Sequence, residues 1–213
     1  FGACDSHGRF VDCHRLFAVL LKHLTNYRGL TGDVVRTVST TRALDKLCAN
    51  RGIRLIETPI GFKYICDLML QGDVMIGGEE SGGIGVKGHL PERDGVVMGL
   101  LILEAMAAAG KRLEDLIDDV FVEVGPHEYT RNDMHPPAAA MPAINAALRS
   151  FAETSFAGLA IEEIVRKDGT RLDFADGSWL LLRPSGTEPV VRVYAEAPTM
   201  DQAKHLVAQG VAY

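Results

Sequence analysis

Residues 33–83 read DVVRTVSTTRALDKLCANRGIRLIETPIGFKYICDLMLQGDVMIGGEESGG. DVVRTVST (33–40), IRLIETPIG (53–61) and the start of DVMIGGEESGG (73–83) are β-branched and apolar, and each predicts a strand. Between them, TTRALDKLCANRG (40–52), stopped by Gly52, and FKYICDLMLQG (62–72) predict short helices. Strands alternating with helices of about ten residues build βαβ units, hence a parallel sheet with right-handed crossovers. Such sheets hold ligands at the carboxyl ends of their strands. Here those ends are Ser39–Thr41, Thr58–Lys63 and Gly77–Gly83, all polar or glycine-rich, as a shared cleft requires.

Upstream, FGACDSHGRFVD (1–12) predicts a β-hairpin around Asp5–Gly8. CHRLFAVLLKHLTNY (13–27) then puts Leu16, Phe17, Leu20, Leu21 and Leu24 on one helical stripe, closed by Gly29 and Gly32. Downstream, RDGVVMGLLILEAMAAAG (93–110) predicts a long apolar helix buried on most sides, with Asp94 as its N-cap. Residues 123–142 hold four of the nine prolines and break every period, which places a domain boundary among them. Beyond lie a helix near 143–153, a strand near 161–166, a turn at 167–170, a hairpin around Asp176–Gly177 and a final helix near 200–209 capped by Thr199 or Asp201. The fold class is thus α/β, a parallel-sheet domain followed by a smaller α+β domain.

The chain of 213 residues has a formal net charge of −6 and a pI of about 5.6, which argues against nucleic acid or an anionic membrane as partner. No apolar run reaches the roughly 20 residues that span a bilayer, and FGACDSHGRF lacks the regions of a signal peptide. Cys4, Cys13, Cys48 and Cys66 form no CxxC pair, and the seven histidines are scattered. The cysteines therefore read as small hydrophobes in a reducing compartment, predicting a cytoplasmic protein with no metal site of its own.

Two loops offer chemistry. In WLLLRPSGTEPVVRVYAEA (179–197), Arg183, Ser185, Gly186 and Thr187 stand between two apolar runs, where a plain hairpin needs only a two-residue turn. Backbone N–H groups, two hydroxyls and a fixed guanidinium suit a phosphate, and Arg192 adds a further charge; an ordinary hairpin with incidental hydroxyls is the alternative. GGEESGG (77–83) offers two carboxylates, a hydroxyl and four glycines. These suit vicinal sugar hydroxyls, against the alternative of a flexible acidic turn. TPIGFK brings Lys63 to a strand-to-helix junction, and Arg93 begins the apolar helix, where an anion partner suits it.

GGEESGG resembles the sugar-recognition loop, and RPSGTEP the phosphate-binding loop, of the phosphohexomutases, which include phosphoglucomutase and phosphomannomutase. TPIGFK resembles the loop that joins them at the family's cleft, and FGACDSHGRFVD the hairpin following the family's metal loop. The similarity spans essentially the whole chain in the family's order. It implies interconversion of hexose 1-phosphate and hexose 6-phosphate, of glucose or mannose, through a phosphoserine, Mg²⁺ and a bisphosphate intermediate. It further implies that Glu79 and Ser81 hold sugar hydroxyls, that Arg183, Ser185, Gly186 and Thr187 hold the phosphate that is not transferred, where Arg192 adds its charge, and that Lys63 and Arg93 line the cleft and assist proton transfer or charge stabilisation.

The resemblance also assigns residues 1–30 to the end of the family's second domain and 31–126 to the third. Residues 127–142 become a hinge, and 143–213 a mobile fourth domain that closes on the cleft. The family's serine motif, T-x-S-H-N-P, and its metal loop, D-x-D-x-D-R, are absent from this sequence. Nucleophile and Mg²⁺ ligands would then belong to N-terminal domains of the same protein, and the chain alone would bind sugar phosphate weakly without catalysing. The alternative is a non-catalytic sugar-phosphate binding module.

Overall fold

A computed structural model describes residues 1–213, which divide into two compact units, Phe1–Gly125 and Pro126–Tyr213. In the first, β1 (Ala3–Cys4) and β2 (Phe10–Val11) form the expected hairpin. Then come α1 (Cys13–Asn26), β3 (Asp33–Thr37), α2 (Ala43–Arg51), β4 (Leu55–Thr58), α3 (Phe62–Gln71), β5 (Val74–Gly78), β6 (Ile84–Val86), α4 (Gly95–Ala109) and α5 (Leu113–Val124). The sheet runs β4-β3-β5-β6, with β3 parallel to β4 and β5. The short β6 turns back antiparallel to β5. It is the one departure from the parallel sheet the sequence predicts.

Helices cover both faces of β5, and its two glycines explain how closely. A Cβ on Gly77 would lie 2.4 Å from Ile65 Cγ2 of α3, and one on Gly78 would lie 2.8 Å from Phe17 Cε1 of α1. These two glycines of GGEESGG therefore serve helix-to-sheet packing, and not the ligand loop. The carboxylates and Ser81 come immediately after them.

Three sequence expectations need correction. α1 is not the tail of a preceding domain. Leu16, Phe17, Leu20, Leu21 and Leu24 share one core with Val34, Met75 and Ile76 of the sheet and with Ile102 and Ile117 of α4 and α5, so residues 13–26 fold as part of the first unit's own sheet and helices. α4 is not buried on most sides. Met98, Leu101, Ile102 and Ala105 face the core, whereas Val96, Leu100 and Leu103 are exposed, because the helix lies at the surface of the unit and only one stripe reaches α1. Finally, residues 127–142 are not a hinge. They contain a seven-residue strand, a 3₁₀ turn (Ala138–Ala140) and the first residues of a helix.

That strand, β7 (Glu128–Met134), opens the second unit. After it come α6 (Met141–Ser150), β8 (Ser155–Phe156), β9 (Leu159–Val165), β10 (Thr170–Phe174), β11 (Trp179–Pro184), β12 (Val191–Ala197) and α7 (Met200–Ala212). The strands form one antiparallel sheet in the order β7-β12-β11-β10-β9-β8. Leu172, Leu180, Leu182, Val193 and Ala195 form one face and pack with Leu148, Ala203 and Leu206 of α6 and α7. The alternate residues form the opposite face, a lattice of charged and aromatic side chains: Arg171, Asp173, Trp179, Glu196, Tyr194 and Arg131. Thr199 caps α7 by accepting from the Gln202 N–H. No helix is long and apolar enough to cross a membrane.

Candidate functional site

Each unit carries one of the two predicted loops, and each is built differently. In the first unit, Glu79–Gly83 is the tight connection between β5 and β6. Gly83 O accepts from Glu79 N at 2.9 Å, and Glu79 O from Gly82 N at 3.1 Å. Gly82 takes φ +89°, a conformation that L side chains rarely adopt. Glu79 is buried, only 6% exposed, and its Oε1 accepts the Gly61 N–H at 3.0 Å. The TPIGFK segment thus meets the carboxylate through its backbone at Gly61. Burial pushes the Glu79 carboxyl above its ordinary range, against the opposing pull of the Gly61 bond and the nearby Arg93 charge.

Gly83 makes room for Arg93: a Cβ there would sit 2.5 Å from Arg93 Cδ and 3.4 Å from Glu79 Oε2. Arg93 also lies over the Phe62 ring at 5.3 Å, and its Nε donates to Glu92 Oε1 at 3.0 Å. Asp94 caps α4 by accepting from Val96 N and Val97 N. Lys63 is exposed and stacks its ammonium 4.8 Å from the Tyr64 ring. Ser81 is exposed within the turn. The structure therefore gathers Glu79, Gly61, Gly83 and Arg93, with Lys63 two residues beyond Gly61.

Glu80 has another task. Ser39 Oγ donates to its Oε2 at 2.9 Å, and Cys13 Sγ donates to its backbone carbonyl, so the turn is tied to the end of β3 and to α1. Sequence reasoning marks Ser39–Thr41 as a strand end, but neither Ser39 nor Cys13 as a support of the loop.

In the second unit, the loop 185–190 joins β11 and β12, and Ser185 N donates to Val190 O at 2.7 Å. Ser185 and Thr187 point their hydroxyls together, 3.4 Å apart. A Cβ on Gly186 would meet nothing within 4 Å, so the backbone there stands open to an approaching group. Arg183 and Arg192 sit directly opposite each other on β11 and β12, and Asp133 of β7 lies opposite Arg192. Arg183 Nε donates to Asp168 Oδ1 at 2.9 Å, and Arg192 Nε lies 3.7 Å from Asp133 Oδ2. Asp133 is committed first to Arg131, whose hydrogen bonds hold it below the ordinary carboxylate range. Two arginines face to face with an acid at either end form a row that an anion stabilises, because opposed like charges otherwise repel. Sequence reasoning places both arginines and misses both acids.

A family model for the phosphoglucomutase/phosphomannomutase α/β/α domain III matches residues 12–124, and one for the C-terminal domain of the same family matches residues 130–212. The chain belongs to this family. A phosphoglucomutase/phosphomannomutase of Thermococcus kodakarensis is 30% identical over 97% of the chain and 43% of that protein. A phosphoglucosamine mutase of Rubrobacter xylanophilus is 34% identical over 91% of the chain and 40% of that protein. A crystal structure assigned as a phosphomannomutase of Thermus thermophilus superimposes with a TM-score of 0.83 at 32% identity, covering 99% of the chain and 42% of that structure. The chain thus spans less than half the length of these relatives, and the start of the domain III match at residue 12 agrees with α1 folding as part of that domain.

Proposed function

We propose that this chain is the sugar- and phosphate-recognition part of a phosphohexomutase that interconverts hexose 1-phosphate and hexose 6-phosphate through a phosphoserine and a bisphosphate. Glu79 and Ser81 accept and donate to sugar hydroxyls. Arg183, Ser185, Gly186, Thr187 and Arg192 hold the phosphate that is not transferred. Arg93, beside Glu79, and Lys63 supply positive charge near the sugar. The relatives act on glucose, mannose or glucosamine phosphates by their names, so the substrate class is a hexose or hexosamine phosphate. The cytoplasm suits the four free thiols.

One observation carries this reading: Arg183 and Arg192, directly opposed on neighbouring strands, flank a loop with two hydroxyls and an open glycine. A phosphate dianion satisfies that donor set.

The Mg²⁺ implied by the resemblance does not fit these residues, since no three His, Cys, Asp or Glu side chains are placed to hold a metal ion. In this proposal its ligands and the serine nucleophile lie in residues outside the chain, which then recognises substrate without turning it over.

The test is an NMR titration of the 213-residue chain with inorganic phosphate, glucose 6-phosphate and glucose, with an assay for mutase turnover alongside. Expected are shifts at residues 183–192 from both phosphates and none there from glucose, with no turnover. Phosphates that leave residues 183–192 unmoved would remove the phosphate seat. Turnover by this chain would contradict the assignment of the nucleophile elsewhere.

A further inference from the structure

Asp168 lies in the turn between β9 and β10, outside both the Glu79–Gly83 turn and the 185–190 loop. Its neighbour Gly169 has φ +87°, and a Cβ there would come within 2.7 Å of Leu182 O and 3.0 Å of Arg183 Cα. The turn is thus pressed directly against the backbone of Arg183, an approach only glycine permits. That approach delivers the Asp168 carboxylate to Arg183 Nε at 2.9 Å, with the two side chains 22% and 18% exposed. The other end of the arginine row has no equivalent: Arg192 Nε is 3.7 Å from Asp133, which Arg131 already holds.

We infer that Asp168 is a positioning residue, held by Gly169, which fixes the ε edge of the Arg183 guanidinium and so presets the phosphate seat. An arginine side chain left free to rotate loses several rotamers on binding, and a carboxylate at Nε removes part of that cost in advance. Asp168 touches Arg183 and not the ligand. The inference rests on the phosphate reading of the 185–190 loop, and its test separates the two.

The sign of the effect is diagnostic. Asp168 is an anion beside an anion site, so by charge alone Asp168→Asn strengthens phosphate binding. Positioning predicts the reverse. The experiment measures inorganic phosphate affinity of the 213-residue chain and its Asp168→Asn and Asp168→Glu variants, together with the NMR signal and solvent exchange of the Arg183 Nε–H. Asp168→Asn, an isosteric change that trades the charge-assisted bond to Arg183 Nε for a weaker neutral one, should weaken phosphate about three- to tenfold and should speed Nε–H exchange. Asp168→Glu, which keeps the carboxylate, should restore part of both.

Unchanged exchange in Asp168→Asn would overturn the inference, as would affinity that is unchanged or tighter while the unsubstituted chain binds phosphate. If the unsubstituted chain binds no phosphate, the seat itself is wrong and the inference falls with it.

Discussion

The Glu79–Gly83 turn and the 185–190 loop both join antiparallel strands, yet they are held in different ways. In the first, Glu79 is buried and receives a backbone N–H, Glu80 is tied to Ser39 and Cys13, and Gly82 and Gly83 carry the turn's conformation and contacts. In the second, the loop itself is largely exposed, and order comes from the strands beneath it, through Arg183, Arg192 and their flanking acids. The difference follows from what each is proposed to bind. A neutral hydroxyl offers little binding energy, so its acceptor must be preset at the expense of desolvation. A phosphate dianion brings strong charge-assisted bonds, so an open loop over paired arginines is enough.

The sharpest way to break the comparison is at the base of the first turn. Gly78→Val places a branched side chain where a Cβ already lies 2.8 Å from both Ile84 Cγ1 and Phe17 Cε1. The expected cost is about 3 kcal/mol or more to the first unit, from overpacking between strand and helix. Calorimetry of the whole chain should show the transition of residues 1–125 falling, with that of residues 126–213 kept. Loss of both transitions together would show that the units do not fold separately.

Next in size is Arg183→Ala. Removing a charged donor from a phosphate typically costs about 1.5–3 kcal/mol, or roughly 10- to 150-fold in affinity. Titration with glucose 6-phosphate checks it, with thermal unfolding measured alongside, because the change also leaves the Asp168 carboxylate without its Arg183 partner, a side chain only 18% exposed. An affinity within about twofold of the unsubstituted chain would mean that the row of charges is structural.

Much of this arrangement is written in the sequence, and the exceptions have physical reasons. The βαβ alternation of 33–78 and the Asp176–Gly177 hairpin appear as the periods and turn residues demand. Counting back through that hairpin's register from Asp173 opposite Trp179 puts residue 169 opposite Arg183, so the Asp168–Gly169 device is within reach of arithmetic. β7 is not. Tyr129, Arg131 and Asp133 join the charged face, so the strand shows no alternation of apolar and polar residues, and prolines come directly after it. α5 buries Leu113, Ile117, Val120 and Val124, an ordinary helical stripe that the neighbouring proline-rich segment obscures. The turn's supports, Ser39 and Cys13, lie 41 and 67 residues from Glu80, a separation no local pattern bridges.

The smallest effect concerns Glu79 and has the opposite sign for stability and for function. Its carboxyl titrates above the ordinary value because burial penalises the charged form. A raised folded-state pKa means that the folded chain binds the proton more tightly than the unfolded one. The group's favourable contribution is therefore full below the unfolded value near 4.5 and disappears as pH rises through the folded value. At pH 7 the protein carries a buried carboxylate at a cost. Glu79→Gln removes that cost and keeps an oxygen to accept the Gly61 N–H, so the first unit's Tm should rise at pH 7. The gain should shrink as pH falls toward 4, where Glu79 is itself protonated. On the proposed sugar-binding role of Glu79, the same change in a full-length protein should weaken or blur the choice between glucose and mannose phosphates, since an anionic acceptor for vicinal hydroxyls would be lost. A variant that is less stable at pH 7 would show that the carboxylate is held for the fold and not kept there for a ligand, and one equally stabilised at every pH would show that the gain does not come from removing the buried charge.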